Sequence, residues 1–174
     1  MNLIDLTWPA VAALSPDMPA VIPVAAVEQH GYHLPVFTDS ILLGEIVRRV
    51  APRFADRALF APLMWLGNSD HHLDFAGTLS ASPRVYLDLL NSLAENFLRH
   101  GFRRIVFLNG HGGNDVPGRQ AVFELRQRHR DRTDLLLLLA TTAEKGETLL
   151  SRFAAEAAAL LERVEAWDGR SWNG

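Results

Sequence analysis

Arg104-Ile105-Val106-Phe107-Leu108-Asn109-Gly110-His111-Gly112-Gly113-Asn114 runs from a short apolar strand straight into a glycine-rich turn. The apolar residues 105–108 suit a buried strand, and Val116 to His129 beyond the turn reads as a helix. A strand that passes to a helix through a tight turn is the unit of a parallel α/β sheet. A tight turn alone accounts for the glycines but not for His111, whose backbone they allow close to a ligand or a metal.

The same alternation extends in both directions. Upstream, Val21 to Val27 fits a buried strand, Ser40 to Val50 has helical spacing, and Ala58 to Trp65 fits a second strand. Ser82 suits an N-cap with Pro83 at the first helical position, and Val85, Leu89, Leu93 and Phe97 share one face of a helix ending at Gly101. Downstream, Asp134 to Ala140 fits a fourth strand and Ala143 to Ala166 one long closing helix. The order predicts an α/β fold, a three-layer α/β/α arrangement around a mostly parallel central sheet, with residues 1–174 as a single domain. In such folds ligands bind beyond the carboxyl ends of the strands. Glu28, His30, Ser69 and His111 all fall just past expected strand ends, so they can share one crevice.

Composition narrows the function classes. The 174 residues are 48% hydrophobic and 21% charged, with a formal net charge of -3 and no cysteine. That balance offers nucleic acid and anionic lipid no basic excess, and it rules out disulfides, thiolate metal sites and cysteine nucleophiles. No apolar run is long enough for a bilayer, and no signal-peptide pattern opens the sequence, so a cytoplasmic protein is expected. Gly-x-Ser-x-Gly, Walker and dinucleotide-binding patterns are absent.

Two carboxylates and two imidazoles remain as the candidate chemistry. Glu28 and His30 are two apart at a strand end and face the same way if the chain stays extended. Asp39 stands where a helix N-cap is expected, and capping is its alternative role. With His111 these residues form a donor set that suits Zn²⁺ or Mn²⁺. Asn109 and Asn114 flank His111 and can brace its loop.

Three stretches together resemble the creatininase (creatinine amidohydrolase) family: Val27-Glu28-Gln29-His30-Gly31-Tyr32-His33-Leu34-Pro35 with Thr38-Asp39; Ser69 to Ser80, with Ala76 where the family usually has proline; and Asn109 to Asn114. The resemblance continues weakly over Thr142 to Gly146 and the last helix. It implies a creatininase-like fold, a homo-oligomer, and one or two divalent metals per chain, Zn²⁺ or Mn²⁺, bridged by Asp39. Glu28, Asp39 and His111 would hold one ion, and His30 and Asp39 part of the other. The implied reaction is hydrolysis of a C–N bond in a small amide by metal-activated water. The substrate would be a creatinine-like lactam, a formamido compound or a small peptide. Ser69 and His72 are the residues expected to act at the substrate, and His33 to orient a ligand.

The sequence departs from the family at one ligand. Some members carry glutamate two residues after the motif histidine, where this chain has Gly113; others supply it from a later His-Ala-Gly-Glu-x-Glu-Thr motif, which is missing here. The chain reads as internally shortened. Three outcomes stay open: a weakened second metal site, a substitute ligand from Asp70, Asp115, Glu144 or a neighbouring subunit, or a non-catalytic metal-binding or oligomer-forming relative. Asp70-His71-His72 also matches a short phosphoesterase motif, without that superfamily's other aspartate motifs. His100 is expected at a helix end, His129 on a solvated one, and Trp167 and Trp172 in a tail that is either frayed or a subunit contact.

Overall fold

A computed structural model describes residues 1–141 and 147–169. Four parallel strands form its sheet: β1 (Ala20–Val24), β2 (Leu59–Phe60), β3 (Arg104–Asn109) and β4 (Leu136–Thr141), in the order β2-β1-β3-β4. A short N-terminal helix α1 (Trp8–Ala12) precedes them, and α2 (Thr38–Val50), α3 (Pro83–Arg99), α4 (Asp115–Arg128) and α5 (Glu147–Glu165) follow successive strands. The α/β expectation therefore holds, and its element order with it.

Strand alternation assigns each face of the sheet to a pair of helices. Val21, Val106, Leu108, Leu136 and Leu138 face α2 and α5 and pack with Leu43, Ile46, Val50, Ala158 and Leu161. Ile22, Val24, Ile105, Phe107 and Leu137 face the other way, against Tyr86, Leu90, Ala94, Ala121 and Leu125 of α3 and α4. Met1, Leu3, Leu6 and Val11 close the lower end over Ala20, Leu59 and Phe102. Strand order reverses between β1 and β3, and that switch point is where a parallel sheet opens a crevice at its carboxyl edge.

Several boundaries differ from the sequence reading. The second strand shrinks to Leu59–Phe60, continued only by an isolated bridge between Val24 and Met64. Pro62 and an excursion toward the site end its pairing, and proline cannot supply a ladder donor. Helix α2 begins at Thr38 with Phe37 at the cap, so Asp39 lies inside the first turn and is not the N-cap. Ser82 does precede α3, but without a side-chain capping bond, and Gly101 ends that helix at φ 96°. Trp167 is neither frayed nor open, because it packs on the α2–α5 side of the core and Arg104 Nη2 donates to its carbonyl at 3.2 Å. His129 ends α4 in contact with Glu95 of α3 at 3.0 Å, not on a solvated face. The expected start of the last helix at Ala143, the Thr142 to Gly146 stretch with Glu144, and Trp172 lie outside the described residues.

Tyr86 carries a testable cost. It is fully buried, its hydroxyl has no hydrogen-bond partner, and burial raises its pKa above the ordinary phenol value. An unsatisfied buried hydroxyl costs about 1–3 kcal/mol. Tyr86→Phe keeps the ring and removes the hydroxyl, so it is expected to raise stability by about 1 kcal/mol and Tm by roughly 2–4 °C in a domain of this size. Thermal melts check this, and a lower Tm would show that the hydroxyl has a partner in solution.

Candidate metal centre

The loop after β1 is folded back on itself so that Glu28 and His30 point inward. Glu28 N–H donates to the Val36 carbonyl at 2.9 Å, and an isolated bridge joins His30 to Leu34. Gly31 makes the reversal at φ 71°, a region that favours glycine. Two contacts seat the start of α2 beneath this loop: Thr38 Oγ1 donates to the Pro35 carbonyl at 2.5 Å, and Ser40 Oγ to the Ala26 carbonyl at 2.9 Å. Asp39, between them, is thereby held against the end of β1. Its position in a first helical turn also places the carboxylate at the favourable end of the helix dipole.

The loop after β3 is held by an amide network. Asn109 Nδ2 donates to the His111 carbonyl at 2.8 Å, and His111 N–H returns to Asn109 Oδ1 at 3.2 Å. Asn114 Nδ2 donates to Asn109 Oδ1 and to the Ala25 carbonyl, while Asn68 N–H donates to Asn114 Oδ1. This buried network ties the ends of β1 and β3 and the 68–80 loop into one frame. Gly113 is packed within it. A Cβ there would lie 2.2 Å from the Asn68 carbonyl oxygen, 2.5 Å from His111 Nε2 and 3.1 Å from His71 Cε1.

Glu28, His30, Asp39 and His111 converge on this frame. His30 Nδ1 lies 3.1 Å from the Glu28 carbonyl, and its Nε2 lies 3.0 Å from Asp39 Oδ1. His111 Nε2 lies 3.0 Å from the Asn68 carbonyl, and its Nδ1 lies 2.8 Å from Asp39 Oδ2. A backbone carbonyl can only accept, so each ring must carry its proton on the nitrogen beside that carbonyl. In a neutral ring the other nitrogen then offers a lone pair toward one oxygen of Asp39. Outer nitrogens tied to carbonyls are the usual support of metal-binding histidines.

The charge balance fits a cation. Glu28 Oε2 and Asp39 Oδ2 are buried and lack a hydrogen-bond donor. The nearest group to Asp39 Oδ2 is His111 Nδ1, at 2.8 Å. Two acceptor-only oxygens beside imidazole lone pairs suit a divalent ion of the Zn²⁺ or Mn²⁺ type. Without an ion a proton fills part of that role. Desolvation alone would lower the His111 pKa, but Asp39, Glu28 and the Asn68 carbonyl outweigh it and raise it above 6.5.

The remaining expected residues take distinct places. Ser69 is fully buried with Oγ 3.3 Å from His111 Nε2, so it touches a ring at the cluster. His72 stands at the mouth, its Nε2 3.9 Å from Glu28 Oε1. His33 is exposed on the loop. Of the suggested substitute ligands, Asp70 accepts from Ser80 Oγ at 2.5 Å, and Asp115 is held by Arg119 and Thr141. Sequence reasoning passed over His71, whose Nε2 is 3.9 Å from Glu28 Oε2. Its place beside His72 in the middle motif was the available signal.

Around the mouth, Tyr32, Leu34, Phe37, Leu73, Phe75 and Leu79 are exposed. A cleft of about 460 Å³ lies at the opposite end of the sheet, lined by Arg126, His129, Arg132 and Trp167. A second, of about 280 Å³, is lined by Asn2, Val47 and Phe60, so neither contains the cluster. Among the described residues, no helix is long and apolar enough to cross a membrane.

Comparison with known proteins gives a concordant result. The profile of the family described as "Creatininase: Creatinine amidohydrolase" matches residues 4–141. The "Mycofactocin precursor peptide peptidase" of Mycobacterium ulcerans (strain Agy99) is 36% identical over 132 residues, 72% of this chain and 49% of that protein. The "Creatinine amidohydrolase" of Pseudomonas putida is 31% identical over 119 residues, 64% of this chain and 45% of that protein. The chain therefore spans about half the length of these relatives. A solved structure, "Creatininase Mn", superposes with a TM-score of 0.72 at 26% identity, covering 81% of this chain and 58% of that one.

The His111 environment has a measurable consequence. In metal-free protein its imidazole should titrate above 6.5, as followed by the ring proton resonances in NMR. Its favourable charge contribution to stability is then complete below the unfolded-state pKa and is lost as pH rises through the folded one. In Asp39→Ala a principal raising influence is gone, and the midpoint should move down. A wild-type midpoint below 6.5, or no movement in the variant, would contradict this electrostatic account.

Proposed function

The chain belongs to the creatininase family, and from that premise we propose that it is a metal-dependent hydrolase of C–N amide bonds. The observation that carries the reading is the Asp39 carboxylate set between two imidazoles, His30 at Oδ1 and His111 at Oδ2. In this reading Glu28, His30, Asp39 and His111 hold one or two ions of Zn²⁺ or Mn²⁺, with Asp39 bridging. Such ions, when bound, polarise an amide carbonyl and make water nucleophilic near neutral pH.

The chain's own residues set the geometry. The Asn68 and Glu28 carbonyls fix the orientations of His111 and His30, and Ser69 Oγ steadies the His111 ring as a positioning residue. His72 reaches the cluster from the open side, where a substrate must enter. The relatives' names suggest a small cyclic amide or a peptide as substrate. The apolar rim gives a surface for a second copy of the chain to cover, which supports a homo-oligomer.

A second reading is a non-catalytic metal-binding relative. Gly113 favours it, because the acidic ligand that some members carry there is missing and the position is closed to a side chain.

Elemental analysis of protein purified without chelator, followed by a panel of creatinine, formamido compounds and short peptides, separates the readings. The expected result is about two equivalents of metal, with the share held by Asp39 lost in Asp39→Ala, and hydrolysis of at least one amide that chelation abolishes. Bound metal with an inert panel favours the second reading. Full metal in Asp39→Ala, with only about 1 kcal/mol less stability, would reduce Asp39 to a helix-end carboxylate.

A further inference from the structure

Gly113 cannot be repaired by its neighbours in sequence, but a side chain from another loop stands beside it. His71 Cε1 lies 3.1 Å from where a Cβ on Gly113 would be, and the His71 ring stacks on His111 with centroids 6.1 Å apart and planes 8° from parallel. From there His71 Nε2 approaches Glu28 Oε2, the buried carboxylate oxygen without a donor, at 3.9 Å. His72, the next residue, approaches the other oxygen of the same carboxylate, Oε1, also at 3.9 Å. One ligand atom from each of Glu28, His71 and His72 lies within 4.8 Å of the other two.

We propose that Glu28, His71 and His72 form a second divalent-cation site beside the closed Gly113 position. Two imidazoles and one carboxylate make up a common zinc ligand set with one position left open. Ligand atoms about 2.1 Å from a tetrahedral zinc ion lie roughly 3.4 Å from each other. The separations, 3.9 Å to the nearer carboxylate oxygen and no more than 4.8 Å among the three ligand atoms, therefore call for between about half and one and a half ångströms of closure. His71 is half exposed and can supply its share by side-chain rotation. His72 has a contact to release: Gln29 Nε2 lies 3.2 Å from its Nδ1 and 3.4 Å from its Nε2, while Gln29 Oε1 accepts from Gly31 N–H. On this arrangement His72 is a ligand and not a group free to carry protons, and Glu28 is the wall shared with the Asp39 cluster.

The inference rests on the metal-dependent reading of that cluster only through Glu28. Zn²⁺ titration calorimetry on the full chain tests the two separately, comparing wild type with His71→Ala, His71→Gln and Asp39→Ala. The expected result is a wild-type protein with two zinc equivalents. Both His71 variants should lose one of them or bind it more than about 10-fold more weakly, with metal-free melting unchanged. Asp39→Ala should retain the equivalent that depends on His71. Identical isotherms for wild type and both His71 variants would overturn the second site and leave the proposed function standing. Loss limited to His71→Ala, with His71→Gln binding as wild type, would also overturn it, because an amide cannot replace an imidazole lone pair on zinc. Asp39→Ala indistinguishable from wild type would instead defeat the Asp39 cluster, while a His71-dependent equivalent would still support the second site.

Discussion

A carboxylate buried between two imidazoles is the constraint around which the carboxyl edge of the sheet is arranged. Asp39 brings acceptor-only oxygens to a place where water is mostly excluded, and each oxygen faces a histidine whose other nitrogen is committed to a backbone carbonyl. Such a cluster is costly unless positive charge balances it. The surrounding structure holds it in place: α2 is pinned by Ser40 to the end of β1, and the Asn68–Asn109–Asn114 network joins three loops beneath His111. Those asparagine side chains bond the backbone of Ala25, Asn68, Ala81 and His111, and the Asn68 carbonyl they position meets the imidazole.

The switch point of the sheet explains why these residues meet. With β1 and β3 adjacent and their following helices on opposite faces, their carboxyl ends diverge into a crevice, and Glu28 and His111 are among the first side chains beyond them. The 68–80 loop then crosses the opening, bringing Ser69 beneath His111 and His71 and His72 above Glu28. The exposed apolar rim is formed by the same two loops that carry Glu28, His30, His71 and His72.

Much of this was legible in the sequence. The apolar runs at Val21, Arg104 and Asp134 were long and uniform enough to announce buried parallel strands, and the spacing after Ser40 and Pro83 marked helices, although the second buries Tyr86, Leu90, Ala94 and Leu98 one position along from the expected face and leaves Val85 exposed. Glu28, His30 and His111 could be named because each falls just past an expected strand end, and Asp39 because it stands at an expected helix start within the motif that the resemblance rests on. What escaped was set by tertiary contacts. The run from Ala58 to Trp65 has strand composition, yet its regular pairing with β1 covers Leu59–Phe60, and Met64 rejoins β1 only beyond Pro62. Asp39 has the composition of a cap, but the Thr38 and Ser40 anchors draw the helix start upstream of it. His71 looked like an incidental neighbour of His72, because only the fold reveals that the space beside Gly113 is the space next to its ring.

Anomalous scattering from crystals of the full chain soaked in Zn²⁺ is the most direct measurement of the central claim. The account places a zinc peak about 2.0–2.2 Å from an oxygen of Asp39 and from His111 Nδ1 or His30 Nε2. Peaks confined to surface histidines such as His33 or His100, with Asp39 and His111 unliganded, would contradict it.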